Sequence, residues 1–209
     1  MTDPDSSGAA NGKGLALASI CVFCGSNVGS RQAYAAAAER LGAFLAASGI
    51  RLVYGGGRVG LMGVVASAAL AAGGEVVGVI PEALARREVA HESLTELHVV
   101  ETMHERKAKM ASLADGFIAL PGGFGTFEEL CEILTWSQLG LHRKPIGIVD
   151  VHGFYDGLIA LFDHAVDEGF LRPDHRALVI HDDDAARLLA RMRAFRPPVT
   201  TKWLDPDQT

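Results

Sequence analysis

Three short apolar runs in this 209-residue chain each stop at a glycine-rich turn. ASICVFC ends at Gly25-Ser26, IRLVY at Gly55-Gly56-Gly57, and FIAL at Pro121-Gly122-Gly123-Phe124-Gly125-Thr126. Runs that are apolar at nearly every position belong to strands covered on both faces, the habit of a parallel sheet. Helical spacing fills the gaps between them. RQAYAAAAERLGAFLAASG is amphipathic and stops at Gly49, a C′ glycine. The same alternation continues with GLMGVVASAALAAGG, EVVGVIP, ELHVVE, TMHERKAKMASLA, TFEELCEILTWSQLGL, KPIGIVD, FYDGLIALFDHAVDEGF, RALVIHD and DAARLLARMRAF. Residues 82–95 carry mixed charge without a period and read as a loop with a short helix. The pattern predicts an α/β fold: a single Rossmann-like, doubly wound domain with a mainly parallel sheet flanked by helices. It spans residues 15–195, between a disordered N-terminal tail at 1–14 and a loose C-terminal tail at 196–209.

Composition removes whole classes of function. Nineteen Lys and Arg against 25 Asp and Glu leave a net charge of −6, the wrong sign for a general nucleic-acid or anionic-membrane binder. No run reaches the roughly 18 apolar residues that span a bilayer. The run from Leu15 to Phe23 behind Lys13 faintly resembles a signal peptide, but it lacks a small-residue cleavage site and reads as the first core strand. Three cysteines, Cys21, Cys24 and Cys131, are too few and odd in number for a disulfide scaffold, which points to a reducing, cytoplasmic setting.

In a doubly wound sheet, ligands bind beyond the carboxyl ends of the strands, so the three glycine turns mark the edge to examine. Gly55-x-Gly57-x-x-Gly60 fits a dinucleotide fingerprint formally. The acid that should follow about 20 residues later to hold a ribose is poorly matched by Glu75 or Glu82. PGGFGTFEE is sharper. Gly122, Gly123 and Gly125 let backbone amides approach a ligand, and the helix that follows offers its positive end to a phosphate. A plain alternative is a capping box with Thr126 as N-cap and Glu129 three residues on, which leaves three glycines beside a proline unexplained. His104, Glu105, Arg106, Lys107 and Lys109 crowd one helix, either as a solvated face or with Arg106 or Lys107 turned to the glycine loop as the partner of a phosphate dianion. Cys21-x-x-Cys24 sits in a strand without a second pair, so both are expected as core thiols. The eight histidines show no metal-ligand spacing. No G-x-S-x-G hydrolase nucleophile is present.

PGGFGTFEE resembles the PGGxGTxxE signature of the LONELY GUY (LOG) family of cytokinin riboside 5′-monophosphate phosphoribohydrolases. Thr102-Met103-His104-Glu105-Arg106-Lys107 resembles its second signature helix, and CVFCGS, YGGGRVGLMG, GVIPEAL and LTWSQLGLHRKPIG resemble further family segments, covering about residues 18–195. The resemblance implies hydrolysis of the N-glycosidic bond of an adenosine 5′-monophosphate or its N6-prenylated form, giving free base and ribose 5-phosphate. By position it places the catalytic pair on Arg106 and Glu129. Substrate binding falls on Ser26, Gly55, Gly56, Glu88, Lys107 and the stretch Gly122, Gly123, Phe124, Gly125, Thr126, Phe127 and Glu128, with Phe124 where many members carry Tyr. It implies a homodimer, with no metal or redox cofactor required. Members have often been labelled lysine decarboxylases, but nothing in the sequence suggests a pyridoxal phosphate site. A second reading of the same edge is a nucleotide or molybdenum-cofactor carrier of the superfamily, for which a carboxylate at the scissile bond has no use.

Overall fold

A computed structural model describes residues 14–88, 91 and 93–198; the side chains of residues 86–88 lie outside that description. Most of both tails also lies outside it. Seven strands form one sheet: β1 (Ser19–Phe23), β2 (Arg51–Tyr54), β3 (Val76–Pro81), β4 (Glu96–Val100), β5 (Gly116–Ala119), β6 (Ile146–Val149) and β7 (Val179–Asp182). Every pairing is parallel, in the order β4-β3-β2-β1-β5-β6-β7, so the sheet is wholly rather than mainly parallel. The chain winds outward from β1 to β4, then returns to lay β5 against the other side of β1. The switch point therefore lies between Gly25, after β1, and Gly122, after β5.

Helices cover both faces. α1 (Gln32–Ala47), α2 (Gly60–Ala71) and the last helix pack Leu41, Leu45, Leu61, Leu188 and Met192 against one face of the sheet. α1 and α2 lie so close that a side chain at Gly42 would meet the Val65 carbonyl oxygen at 2.3 Å, which explains the glycine at that point of α1 and the small Ala68 and Ala69 facing it on α2. α1 ends as its sequence predicts, with Gly49 at φ +66°. On the opposite face α4 (Met103–Leu113), α5 (Phe124–Gln138) and α6 (Asp156–Asp167) bury Met110, Leu130 and Ile133 with Phe117 and Tyr155. The short α3 (Glu82–Glu88) follows β3, and α8 (Ala185–Ala194) closes the domain.

Three expectations need correction. β4 is not covered on both faces; as the edge strand it leaves Leu97 and Val99 exposed. A one-turn helix, α7 (Pro173–Arg176), precedes β7 and takes up Arg176, the first residue of the run RALVIHD that reads as strand in sequence. The capping box of α5 is not formed: the helix starts three residues earlier, with Gly123 at the N-cap position and no side-chain cap. Thr126 thus stands in the first turn, buried, with Gly122 packed on it so closely that a Cβ there would lie 2.1 Å from the Thr126 hydroxyl. The capping arrangement instead operates on α4. Thr102 Oγ1 accepts from Glu105 N at 3.1 Å, and Glu105 Oε2 accepts from Glu101 N at 3.0 Å.

Candidate active site

Helix α4 crosses from the sheet edge back towards its centre and brings Arg106 beneath the ends of β2 and β3. The guanidinium is buried, with Nε donating to Val79 O at 3.2 Å and Nη2 to Gly55 O at 3.0 Å. Nη1 has the weakly accepting Met103 sulfur 3.8 Å away, so it is the nitrogen left for a ligand. Gly55 makes this arrangement possible, since a Cβ there would sit 2.0 Å from Nη2. The first glycine of the apparent dinucleotide fingerprint therefore admits an arginine. The third, Gly60, lets α2 close on the β1 turn: its φ is +60°, and a Cβ would come within 2.2 Å of the Ser26 carbonyl carbon. Glu75, at the other end of the sheet, is paired with Arg51 at 2.8 Å.

Helix α5 supplies Glu129. Burial pushes its carboxyl up to about 7, against the lowering pull of Arg106 and with a further push from Glu128. Arg106 and Glu129 line one cleft of about 250 Å3 with Cys24, Gly25, Ser26, Met62, Gly123, Phe124, Gly125 and Thr126. The first amides of α5 carry no side-chain cap and open on the same rim. Gly123 and Gly125 differ from Gly55 and Gly122: a Cβ on either would meet nothing within 4 Å. The fold makes no steric demand for glycine there, and the space they leave belongs to the cleft. Phe124 stands at the mouth almost fully exposed. A second, mostly apolar pocket of about 180 Å3 adjoins, sharing Gly25, Ser26 and Gly123 and lined further by Tyr34, Leu61 and Phe154.

Other expected positions fall elsewhere. Phe127 packs its ring into an aromatic cluster with Phe154 and Tyr155, at centroid distances of 6.3 and 6.2 Å, and is not part of the cleft lining. Lys107 and Glu128 are paired with each other, and Lys107 Nζ also donates to Glu132 Oε1 at 2.9 Å. Gly56, at φ +77°, packs on Ile80 at the end of β3. Glu88 ends α3, and its side chain is outside the described residues. Cys21 and Cys24 are buried thiols as expected, although Cys24 also borders the cleft. Sequence reading missed Cys24, Met62 and Glu132; Met62 and Cys24 flank glycine turns already marked, and Glu132 follows Glu128 by one helical turn. A larger, open groove of about 740 Å3 along α1 and α2 contains neither Arg106 nor Glu129. Among the described residues no helix is long and apolar enough to cross a membrane.

Residues 62–192 match the family described as possible lysine decarboxylase. Decarboxylation of lysine implies pyridoxal phosphate, whose anchoring lysine must shed its proton. The site does not fit that group. Lys107 is held in its charged form: burial alone would lower its pKa, but the hydrogen bonds and charges of Glu128 and Glu132 raise it. Lys144 lies before β6, at the opposite end of the sheet, bonded to Ala111 O at 2.8 Å.

The molybdenum cofactor carrier protein of Chlamydomonas reinhardtii superposes with a TM-score of 0.64, covering 84% of this chain and 96% of its own, at 22% identity. The molybdenum cofactor binding protein of Rippkaea orientalis gives 0.62 at 18% identity, over 84% and 95%. At these identities the likeness is one of fold. Sequence relatives are far nearer. The probable cytokinin riboside 5′-monophosphate phosphoribohydrolase LOGL1 of Oryza sativa subsp. japonica is 52% identical over 84% of this chain and 79% of its own length. The cytokinin riboside 5′-monophosphate phosphoribohydrolase LOG2 of Arabidopsis thaliana is 51% identical over 85% and 84%. With half its residues shared over more than four fifths of its length, the chain belongs to the LOG phosphoribohydrolase family.

Proposed function

We propose that the protein is a hydrolase of the N-glycosidic bond of adenosine 5′-monophosphate or its N6-modified forms, releasing the free base and ribose 5-phosphate. The observation that carries this reading is the meeting of Arg106 and Glu129, from two different helices, in one cleft edged by the turn at Gly123–Thr126. The phosphoribohydrolases that are about 50% identical to it over more than four fifths of its length support it.

Breaking the ribosyl C–N bond builds positive charge on the sugar, and a carboxylate beside C1′ stabilises that state and takes a proton from the attacking water. Glu129 is the group we assign to this. Water oxygen bonds to C1′, the C1′–N bond pair leaves with the base, the water proton passes to Glu129, and the base takes a proton from solvent. Arg106 is a fixed cation at the same point. With Nε and Nη2 held by backbone carbonyls, it offers Nη1 to the departing electron pair without having to reorganise. The uncapped amides at Phe124–Thr126, beside Ser26, Gly122 and Gly123, hold the 5′-phosphate and supply binding energy remote from the bond that breaks.

We assign the activity to residues 15–195, with both tails dispensable, and to a cytoplasmic homodimer. Helix α6 supports the pairing: its Leu158, Ile159 and Phe162 pack on the core, but Leu161 stands exposed on its outer side, as does Phe170 just beyond its end. Light scattering tests the dimer. The activity is tested by chromatography of products from AMP and from isopentenyladenosine monophosphate. Base release accompanied by ribose 5-phosphate is the expected result. Nucleotide binding with neither product would move the reading to a carrier.

A further inference from the structure

Arg106 and Lys107 are neighbours on α4 but face different partners. Arg106 reaches the ends of β2 and β3, whereas Lys107 turns to α5 and is only 8% exposed. Its ammonium is held by Glu128 and by Glu132, 2.9 Å away, one helical turn apart on α5. Without the lysine these two carboxylates would repel each other across the turn, and without them the lysine would be a buried, unpaired cation. None of the three lines the cleft, yet Glu128 adjoins Glu129 in sequence and Lys107 adjoins Arg106.

We propose that Lys107 is a positioning residue: by bridging Glu128 and Glu132 it pins α4 to α5, holding Arg106 and Glu129 across the cleft, and it makes no contact with the nucleotide. This rests on the function proposed above and reassigns a position at which the family resemblance implied substrate binding. The bridge has a second effect, because it places one positive and two negative charges beside the Glu129 carboxyl. The charges that act on that carboxyl are Arg106 and Lys107 from α4 and Glu128 and Glu132 from α5, while Cys21 and Cys24 of β1 and its end and Tyr155 after β6 face it as neutral groups whose own pKa values the carboxylate raises. Removing the cation and removing the two anions must therefore move its titration in opposite directions.

The test compares Lys107→Met with Glu128→Gln/Glu132→Gln, each checked for folding by circular dichroism. The Glu129 carboxyl is titrated by carbon NMR without ligand and assigned by its loss in Glu129→Gln. The midpoint is expected to rise in Lys107→Met and to fall in the double variant. With AMP, kcat is expected to drop at least tenfold in both, while KM stays within about threefold and the triple variant is no worse than Lys107→Met. A KM for AMP raised tenfold or more in Lys107→Met, with the Glu129 midpoint unmoved, would overturn the proposal in favour of a phosphate contact. Midpoints that move the same way in both variants would overturn it too. If the wild type releases no base, the function above fails, and the ligand-free titration still decides the bridge. If Lys107→Met does not fold, a midpoint lowered in the double variant supports the bridge, and an unmoved one overturns it.

Discussion

Nη2 of Arg106 occupies the place that a side chain on residue 55 would fill, 2.0 Å from where a Cβ at Gly55 would stand, while donating to the carbonyl of that same residue at 3.0 Å. The glycine turn after β2 thus positions a side chain carried by α4. Gly55→Ala brings no positive-φ strain, since Gly55 is not among the positive-φ residues, and the atom in its way is the tip of an arginine. The fold should tolerate it, with a change in thermal midpoint of a few degrees at most, whereas Arg106 must leave its place. Base release is expected to fall by about 10²-fold or more, the scale of a lost preorganised donor. Calorimetry and kcat on the same sample check the pair.

Gly125→Ala is expected to do something different. A Cβ there meets no protein atom, and alanine in a helix is favoured over glycine by about 0.5–1 kcal/mol. The variant should be as stable as the wild type or slightly more so, yet bind AMP more weakly, because the methyl intrudes on the cleft. Denaturant unfolding and calorimetric titration with AMP measure the two effects separately.

Glu129 should cost the fold stability at alkaline pH. Burial raises its folded pKa to about 7, above the 4.5 of an ordinary carboxyl. The folded state therefore binds the proton more tightly, and the contribution to stability is full below pH 4.5 and lost as pH rises through 7. Glu129→Gln is expected to melt several degrees above the wild type at pH 8, with the difference closing towards pH 5. A melt series across that range checks it.

His142 acts in the opposite sense. Its Nδ1 accepts from Lys144 N at 3.2 Å and its Nε2 faces Ile133 O at 2.9 Å, so the neutral ring is the one that fits. Burial lowers its pKa from 6.5 to about 4. Below pH 6.5 the unfolded chain takes a proton that the folded one refuses, so stability falls as the pH drops from 6.5 to 4. The urea midpoint of His142→Gln should lie below that of the wild type at pH 7, and the gap should narrow by pH 4.

The strands and the glycine edge were legible because their signals are local. Short all-apolar runs and the glycines that end them do not depend on partners distant in sequence, and β1 to β3 and β5 to β7 fall where those runs lie. β4 also falls on its run, ELHVVE, but Glu96 and His98 break the apolar character of that run, and its place at the sheet edge is set by the strand order. The Thr126–Glu129 spacing imitates a capping box, and the start of α5 at Phe124 overrode it through the packing of Gly122 on Thr126. The charged run on α4 could not be divided from sequence alone. Which neighbour faces the strand ends and which faces α5 is fixed by the packing of α4 on the sheet, so Arg106 and Lys107 separated only in three dimensions.

The most direct test of Glu129 as the base is the pH dependence of kcat/KM for base release, from pH 5 to 9, in the wild type and in Glu129→Gln. The wild-type rate is expected to climb about tenfold per unit and level near pH 7, where the Glu129 carboxyl ionises. The Glu129→Gln rate is expected to be at least about 10²-fold lower, without that rise. A Glu129→Gln enzyme that keeps the same slope and works within a few fold of the wild type would contradict that role.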